Sequence, residues 1–233
     1  MNSIFFEKPD VLIVSYPRSG THFLAASLAS HPLIHSRGEC VLRLKKCGAD
    51  RDLIADATKQ YIFKNKPGRT NIAIVMYHSI RDFEKLCGHL YCCKVIHLLR
   101  DPTYVARSWV QAISNKERYG ENYRAHYQLD EEPPPHAPIK IESFIATQRS
   151  IKNLQKRYIK LFAAHSNIMT IKYDDVTKNQ QVNELPELYA RAILAFLGLE
   201  VKPLRNQLRK TGVSASGCVE QKISDCERME FSG

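Results

Sequence analysis

With 233 residues, 44% of them hydrophobic and 25% charged, the chain has the make-up of an ordinary globular protein and can bury a sizeable core as one domain over residues 1–233. Its seven cysteines are an odd number without paired zinc-type spacing, which argues against a disulfide framework and a metal centre, and no run approaches the roughly 18 apolar residues of a membrane span. The 34 basic against 24 acidic side chains leave +10, a surplus that suits a polyanionic ligand such as a nucleotide, a nucleic acid or an acidic membrane without choosing among them. The opening Met1 to Lys8 lacks the basic start and apolar stretch of a secretory signal, so the expected location is the cytoplasm, with reduced thiols.

Val11 to Ser15 is a short β-branched run that stops at Pro17 and Gly20, after which Phe23, Leu24, Ser27 and Leu28 fall at helical spacing. Ile72 to Met76 and Lys94 to Leu99 repeat the buried-strand pattern, each leading into a helical stretch. Asp101-Pro102 starts a helix with an acidic cap and a first-turn proline, carrying it to about Asn115. Asp130 to His136 is a loop. Helical periodicity resumes from Ile139 to about His165, Ile168 to Tyr173 is a strand, and Leu185 to Leu197 is a helix ending at Gly198. The tail from Gly212 is unpatterned. Nearly continuous apolar strands followed by helices predict a three-layer α/β/α fold around a mostly parallel sheet.

Tyr16-Pro17-Arg18-Ser19-Gly20-Thr21-His22-Phe23 lies between the first strand and the first helix, where free backbone N–H groups and about half a positive charge collect. Gly20 lets backbone approach a ligand, Ser19 and Thr21 offer hydroxyls, and Arg18 sets a permanent cation beside a bound phosphate. No lysine precedes a hydroxyl residue as in Gly-x-x-x-x-Gly-Lys-Ser/Thr, which disfavours ATP or GTP chemistry. Leu98-Leu99-Arg100-Asp101-Pro102 then places an arginine at a strand's carboxyl end, with Ser108 eight positions later in the following helix. Ligands of open α/β sheets collect at that edge.

The first of these segments resembles the 5′-phosphosulfate loop of sulfotransferases, Tyr-Pro-Lys/Arg-Ser-Gly-Thr-Thr-Trp, with His22 in place of the second threonine and Phe23 in place of the tryptophan. The pair Arg100 and Ser108 is similar to that family's 3′-phosphate motif. The resemblance implies a P-loop-NTPase-like sulfotransferase fold and transfer of a sulfuryl group from 3′-phosphoadenosine 5′-phosphosulfate to a hydroxyl or amine of a small-molecule or carbohydrate acceptor. No metal, nucleic acid or membrane is implied. By the same likeness, Arg18 bridges the leaving phosphate and the sulfuryl group, Ser19, Gly20, Thr21 and His22 line the 5′ end, and Phe23 offers its ring to the adenine.

Tyr77-His78-Ser79 follows the second apolar strand, and His78 lies 60 residues after Arg18 and 22 before Arg100. It resembles the Thr-His segment that carries the general base in cytosolic sulfotransferases, although Met76-Tyr77 stands where Lys-Thr is usual. A neutral imidazole can take a hydroxyl proton near physiological pH, and the alternative is a structural histidine at a helix start. Gly38-Glu39 resembles the Gly-Glu after the first helix in bacterial and carbohydrate-directed members, some of which use a glutamate as base, so Glu39 is a rival. Ile171-Lys172-Tyr173 resembles the segment whose tyrosine lies by the adenine; Tyr173 is equally suited to the core. Arg209-Lys210-Thr211-Gly212 could face the 3′-phosphate, and the loop from Asn115 to Pro138 could cover the acceptor. Two other classes stay open: a P-loop kinase-like phosphoryl transferase, and a nucleic-acid binder motivated by charge alone.

Overall fold

A computed structural model describes residues 7–40, 65–87, 89–120, 134–177 and 184–205. Most of the Asn115 to Pro138 loop, the Arg209 to Gly212 segment and the tail lie outside the described residues. Five strands, β1 (Val11–Ser15), β2 (Ile34–Glu39), β3 (Thr70–Met76), β4 (Lys94–Leu99) and β5 (Ile168–Lys172), form one parallel sheet in the order β2-β3-β1-β4-β5. Among the described residues the helices of two turns or more are α1 (Thr21–Ala29), α2 (Ile80–Cys87), α3 (Pro102–Tyr119), α4 (Ile141–Phe162) and α5 (Glu187–Leu197).

Every residue of β1 is buried, because side chains that alternate along it meet a helical layer on each face. Val11 and Ile13 pack with Leu24 and Leu28 of α1 and with Ile193, Leu194 and Leu197 of α5. Leu12 and Val14 pack on the opposite side with Ile80 and Phe83 of α2 and Phe162 of α4. The expected α/β sandwich is therefore the observed one. Among the described residues no helix is long and apolar enough to cross a membrane.

The register lines up the strand ends: Ser15 pairs with Met76, Val14 with His97, and Leu99 with Lys172. Whatever follows these residues is delivered to one edge. The Asp101 cap is present, its carboxylate accepting from the Thr103 amide at 2.7 Å. Local boundaries move slightly, since α3 runs on to Tyr119, α4 spans only Ile141–Phe162, and Tyr173 opens a helical turn rather than closing β5.

The strand β2 was not among the expected elements. Ile34-His35-Ser36-Arg37-Gly38-Glu39 carries no apolar run because it is an edge strand, and its half-buried residues resemble a polar loop when read alone.

Candidate active site

The chain leaves β1 through α1 towards the β2 edge and leaves β4 through α3 and α4 towards β5, so a crevice opens between the carboxyl ends of β1 and β4. The loop after β1 enters it through two left-handed residues, Arg18 at φ 70° and Gly20 at φ 90°. Gly20 is the N-terminal boundary residue of α1 and no side chain caps that end, which leaves the first amides of the helix without intrahelical partners. The Ser19 hydroxyl is buried with no hydrogen-bond partner. A side chain at position 20 would force the Tyr173 ring to shift, because its Cβ would lie 2.1 Å from Cε2 of that ring.

Arg18 crosses the crevice, and its Nε donates to Ser108 Oγ of α3 at 3.1 Å. Arg100 donates to the Arg18 carbonyl at 2.9 Å and sets its guanidinium over the Tyr173 ring, with Cζ 4.7 Å from the centroid. The Arg100 Nε is buried without a partner. The Arg100 carbonyl in turn accepts from Gln155 of α4 at 2.7 Å. Phe23 meets Tyr173 edge-on at 5.8 Å. Burial raises the Tyr173 phenol above its ordinary pKa, and the neighbouring Arg100 charge partly offsets this, so the ring is neutral against the cation.

Arg18, Ser19, Gly20, Phe23, Arg100, Ser108 and Tyr173 thus converge from four separate segments. Thr21 is buried in the first turn of α1. Gln155 escaped notice in the sequence because a glutamine in mid-helix has no signature; only the packing of α4 on the β4 end gives it a task.

A second group of residues occupies the same edge beyond β3. His78 is exposed on the turn Tyr77–Ser79, and that turn is anchored from beneath. Tyr77 stacks on Tyr158 at 4.2 Å, its carbonyl accepts from the Tyr158 hydroxyl at 3.1 Å, and its own hydroxyl lies 2.5 Å from His97 Nε2. Burial lowers the His97 imidazole to about 4 and raises Tyr77, so both are neutral. Glu39, at the end of β2, holds His22 by an Oε1 to Nε2 contact of 2.9 Å. His22 therefore reaches across to the edge strand as well as standing in the loop. Among the described residues no cluster of His, Cys, Asp or Glu could hold a metal ion.

No protein-family model matches the chain. Nodulation protein H of Rhizobium tropici is 24% identical over 208 residues, covering 84% of this chain and 78% of that protein. The sulfotransferase from Alicyclobacillus acidocaldarius superposes with a TM-score of 0.54 at 13% identity, covering 94% of this chain and 92% of that one. The sulfotransferase domain from the curacin biosynthetic pathway gives 0.51 at 15% identity, over 84% of this chain and 76% of its own. The chain therefore shares the fold of these sulfotransferases, the α/β architecture that the resemblance of residues 16–23 and 98–108 implied.

Proposed function

We propose that the chain transfers a sulfuryl group from 3′-phosphoadenosine 5′-phosphosulfate to a hydroxyl or amine of a small-molecule or carbohydrate acceptor. The observation that carries this reading is the convergence of Arg18, Ser108, Arg100 and Tyr173 around the left-handed Gly20 in one crevice. Buried polar atoms are nearly always satisfied, yet Ser19 Oγ and Arg100 Nε are not, and both are donors suited to phosphate oxygens. The residues present fit a doubly anionic ligand.

In this reading Ser19, Thr21, His22 and the loop amides around Gly20 hold the 5′ end, Arg100 and Ser108 hold the 3′-phosphate, and Phe23 and Tyr173 flank the adenine. When bound, the donor supplies an activated sulfuryl group with a phosphate as its leaving group. Arg18 and the amides at the start of α1 stabilise the negative charge that grows on that phosphate, a preorganised contribution in which one donor is worth about 10² to 10³ in turnover. His78 and Glu39 are the two groups at the edge suited to take the acceptor proton.

Calorimetry with adenosine 3′,5′-bisphosphate, without magnesium, tests the reading. Binding is expected, with adenosine 5′-monophosphate much weaker because Arg100 and Ser108 lose their ligand. Magnesium-dependent ATP binding with no affinity for the bisphosphate would overturn it in favour of phosphoryl transfer. Tight RNA binding with a steep salt dependence and no bisphosphate affinity would overturn it in favour of a nucleic-acid binder.

A further inference from the structure

The outer face of α4 concentrates positive charge away from the crevice. From Ser143 to Tyr173 the sequence holds six basic residues and no acidic one. Five of the six, Arg149, Lys152, Lys156, Arg157 and Lys160, are exposed on α4, whose one acidic residue is Glu142 in the first turn. Arg149, Lys152, Lys156 and Lys160 follow the i, i+3, i+7, i+11 spacing that lines up one side of a helix, a stripe about 16 Å long at about 1.5 Å per residue. The inner side of the helix is occupied by packing. Phe144 and Ile151 meet Val105 and Ala106 of α3, Phe162 meets Leu12 and Val14 of β1, and Gln155 and Tyr158 reach the carbonyls of Arg100 and Tyr77.

Helix stability does not account for the stripe. Lys152 with Lys156, and Lys156 with Lys160, are like charges four positions apart, which weaken a helix, and of the five only Lys160 lies in the last turn where the macrodipole favours a cation. Among the described residues none of the five lies in an ion pair, whereas Arg191 pairs with Glu187 and Arg205 with Glu184. Apolar side chains border the stripe near its end. Ile159, three positions after Lys156, is 44% exposed, and Leu161, four after Arg157, is 45% exposed. The aromatic rings of the helix, Phe144, Tyr158 and Phe162, are packed inward.

We infer that the outer face of α4 docks on the surface of a bilayer containing anionic phospholipid, a partner that the sulfotransferase resemblance does not imply. Charge complementarity selects an anionic partner, and five cations fall in the range of about four to eight that holds a helix on an anionic leaflet. The borders of the stripe select the kind of partner. Single-stranded nucleic acid is held by a charged groove lined with stacking aromatic rings, and here the cations ride on the ridge of one helix whose rings face inward. Lysine stems reach headgroup phosphates from such a ridge while Ile159 and Leu161 enter between the headgroups. Docked in this way the protein keeps its crevice open, because Gln155 and Tyr158 approach the carboxyl edge of the sheet from the inner side of α4.

Cosedimentation of the full chain with vesicles of phosphatidylcholine and phosphatidylserine, against vesicles of phosphatidylcholine alone, tests the docking. Binding is expected to the mixed vesicles only, and it should weaken as salt is added. Each cation near such a surface is worth about fivefold in partition, so Lys152→Gln/Lys156→Gln/Lys160→Gln should bind about 10²-fold more weakly with an unchanged Tm. Should that variant unfold early, Lys156→Gln alone should still lose about fivefold. Ile159→Ser/Leu161→Ser should also weaken vesicle binding, which a bare polyanion site would not require. Full vesicle binding by either lysine variant, equal binding to both kinds of vesicle, or no loss in the Ile159 and Leu161 variant would each overturn the assignment. So would a wild-type chain that ignores the mixed vesicles yet binds RNA or a sulfated polysaccharide through the same lysines, and so would bisphosphate affinity that falls in step with vesicle binding, which would place the stripe in donor binding.

Discussion

The β1–β4 crevice and the β2–β3 edge lie side by side, but they are held in place by different means. In the crevice each side chain follows a short local frame: the loop directly after β1, Arg100 directly after β4, and Ser108 two turns into a helix whose start is set by Asp101 and Pro102. At the edge, Glu39 depends on a bulge in the pairing with a strand far along the chain, and the His78 turn depends on a buried tyrosine clasped by His97 and Tyr158. A site built on local backbone should fail by substitution within its own segment. A site built on register should fail by changes at a distance.

The largest effect should come from Gly20→Ala. A left-handed residue that is not glycine costs about 1 to 2 kcal/mol, and the new Cβ would in addition displace the Tyr173 ring that it meets at 2.1 Å. Bisphosphate binding should be lost and the Tm should fall by about 2 to 4 °C for each kcal/mol, read by calorimetry and thermal unfolding. Retained affinity would mean that the crevice does not depend on this close approach.

Next in size, Arg100→Ala removes a charged donor of the kind worth about 1.5 to 3 kcal/mol, so bisphosphate affinity should drop roughly 10- to 100-fold. Ser108→Ala removes a neutral hydroxyl bonded to Arg18 at 3.1 Å and should cost roughly 3- to 10-fold in the same titration. A Ser108→Ala loss that disappears in an Arg18→Ala background would show that Ser108 acts by holding Arg18 rather than as a separate ligand.

The smallest effect concerns the support beneath the His78 turn. The His97 imidazole titrates near 6.5 in the unfolded chain and at about 4 when buried, so between these values the unfolded state binds more protons. Stability should therefore fall as pH drops from 6.5 towards 4. Urea unfolding of the wild type and of His97→Gln across that window checks this: the variant should lose part of the slope, and an unchanged slope would exclude His97 as its source.

Much of this fold could be read from residue order, because the features that declare it are local. Apolar runs marked β1, β3 and β4 where two covered faces demand unbroken hydrophobicity, Asp101-Pro102 marked the start of α3, and Gly198 at φ 77° ended α5 as a left-handed stop. The loop from Tyr16 to Phe23 and the pair Arg100 and Ser108 were legible for the same reason, each lying within one strand–loop–helix frame. Residue types at Glu39, His22 and Tyr173 could be named from sequence, but not their relations.

Those relations belong to the tertiary structure alone. An edge strand of polar residues does not announce itself, and nothing within Ile34 to Glu39 states that an extra residue will be absorbed against β3 and turn Glu39 towards α1. That Tyr173 fills the space a side chain at position 20 would need, or that Gln155 steadies Arg100, follows from packing between segments far apart in the chain. Periodicity and caps are short-range properties that each stretch of sequence carries by itself. Register, face and close approach are settled only when distant segments compete for the same space.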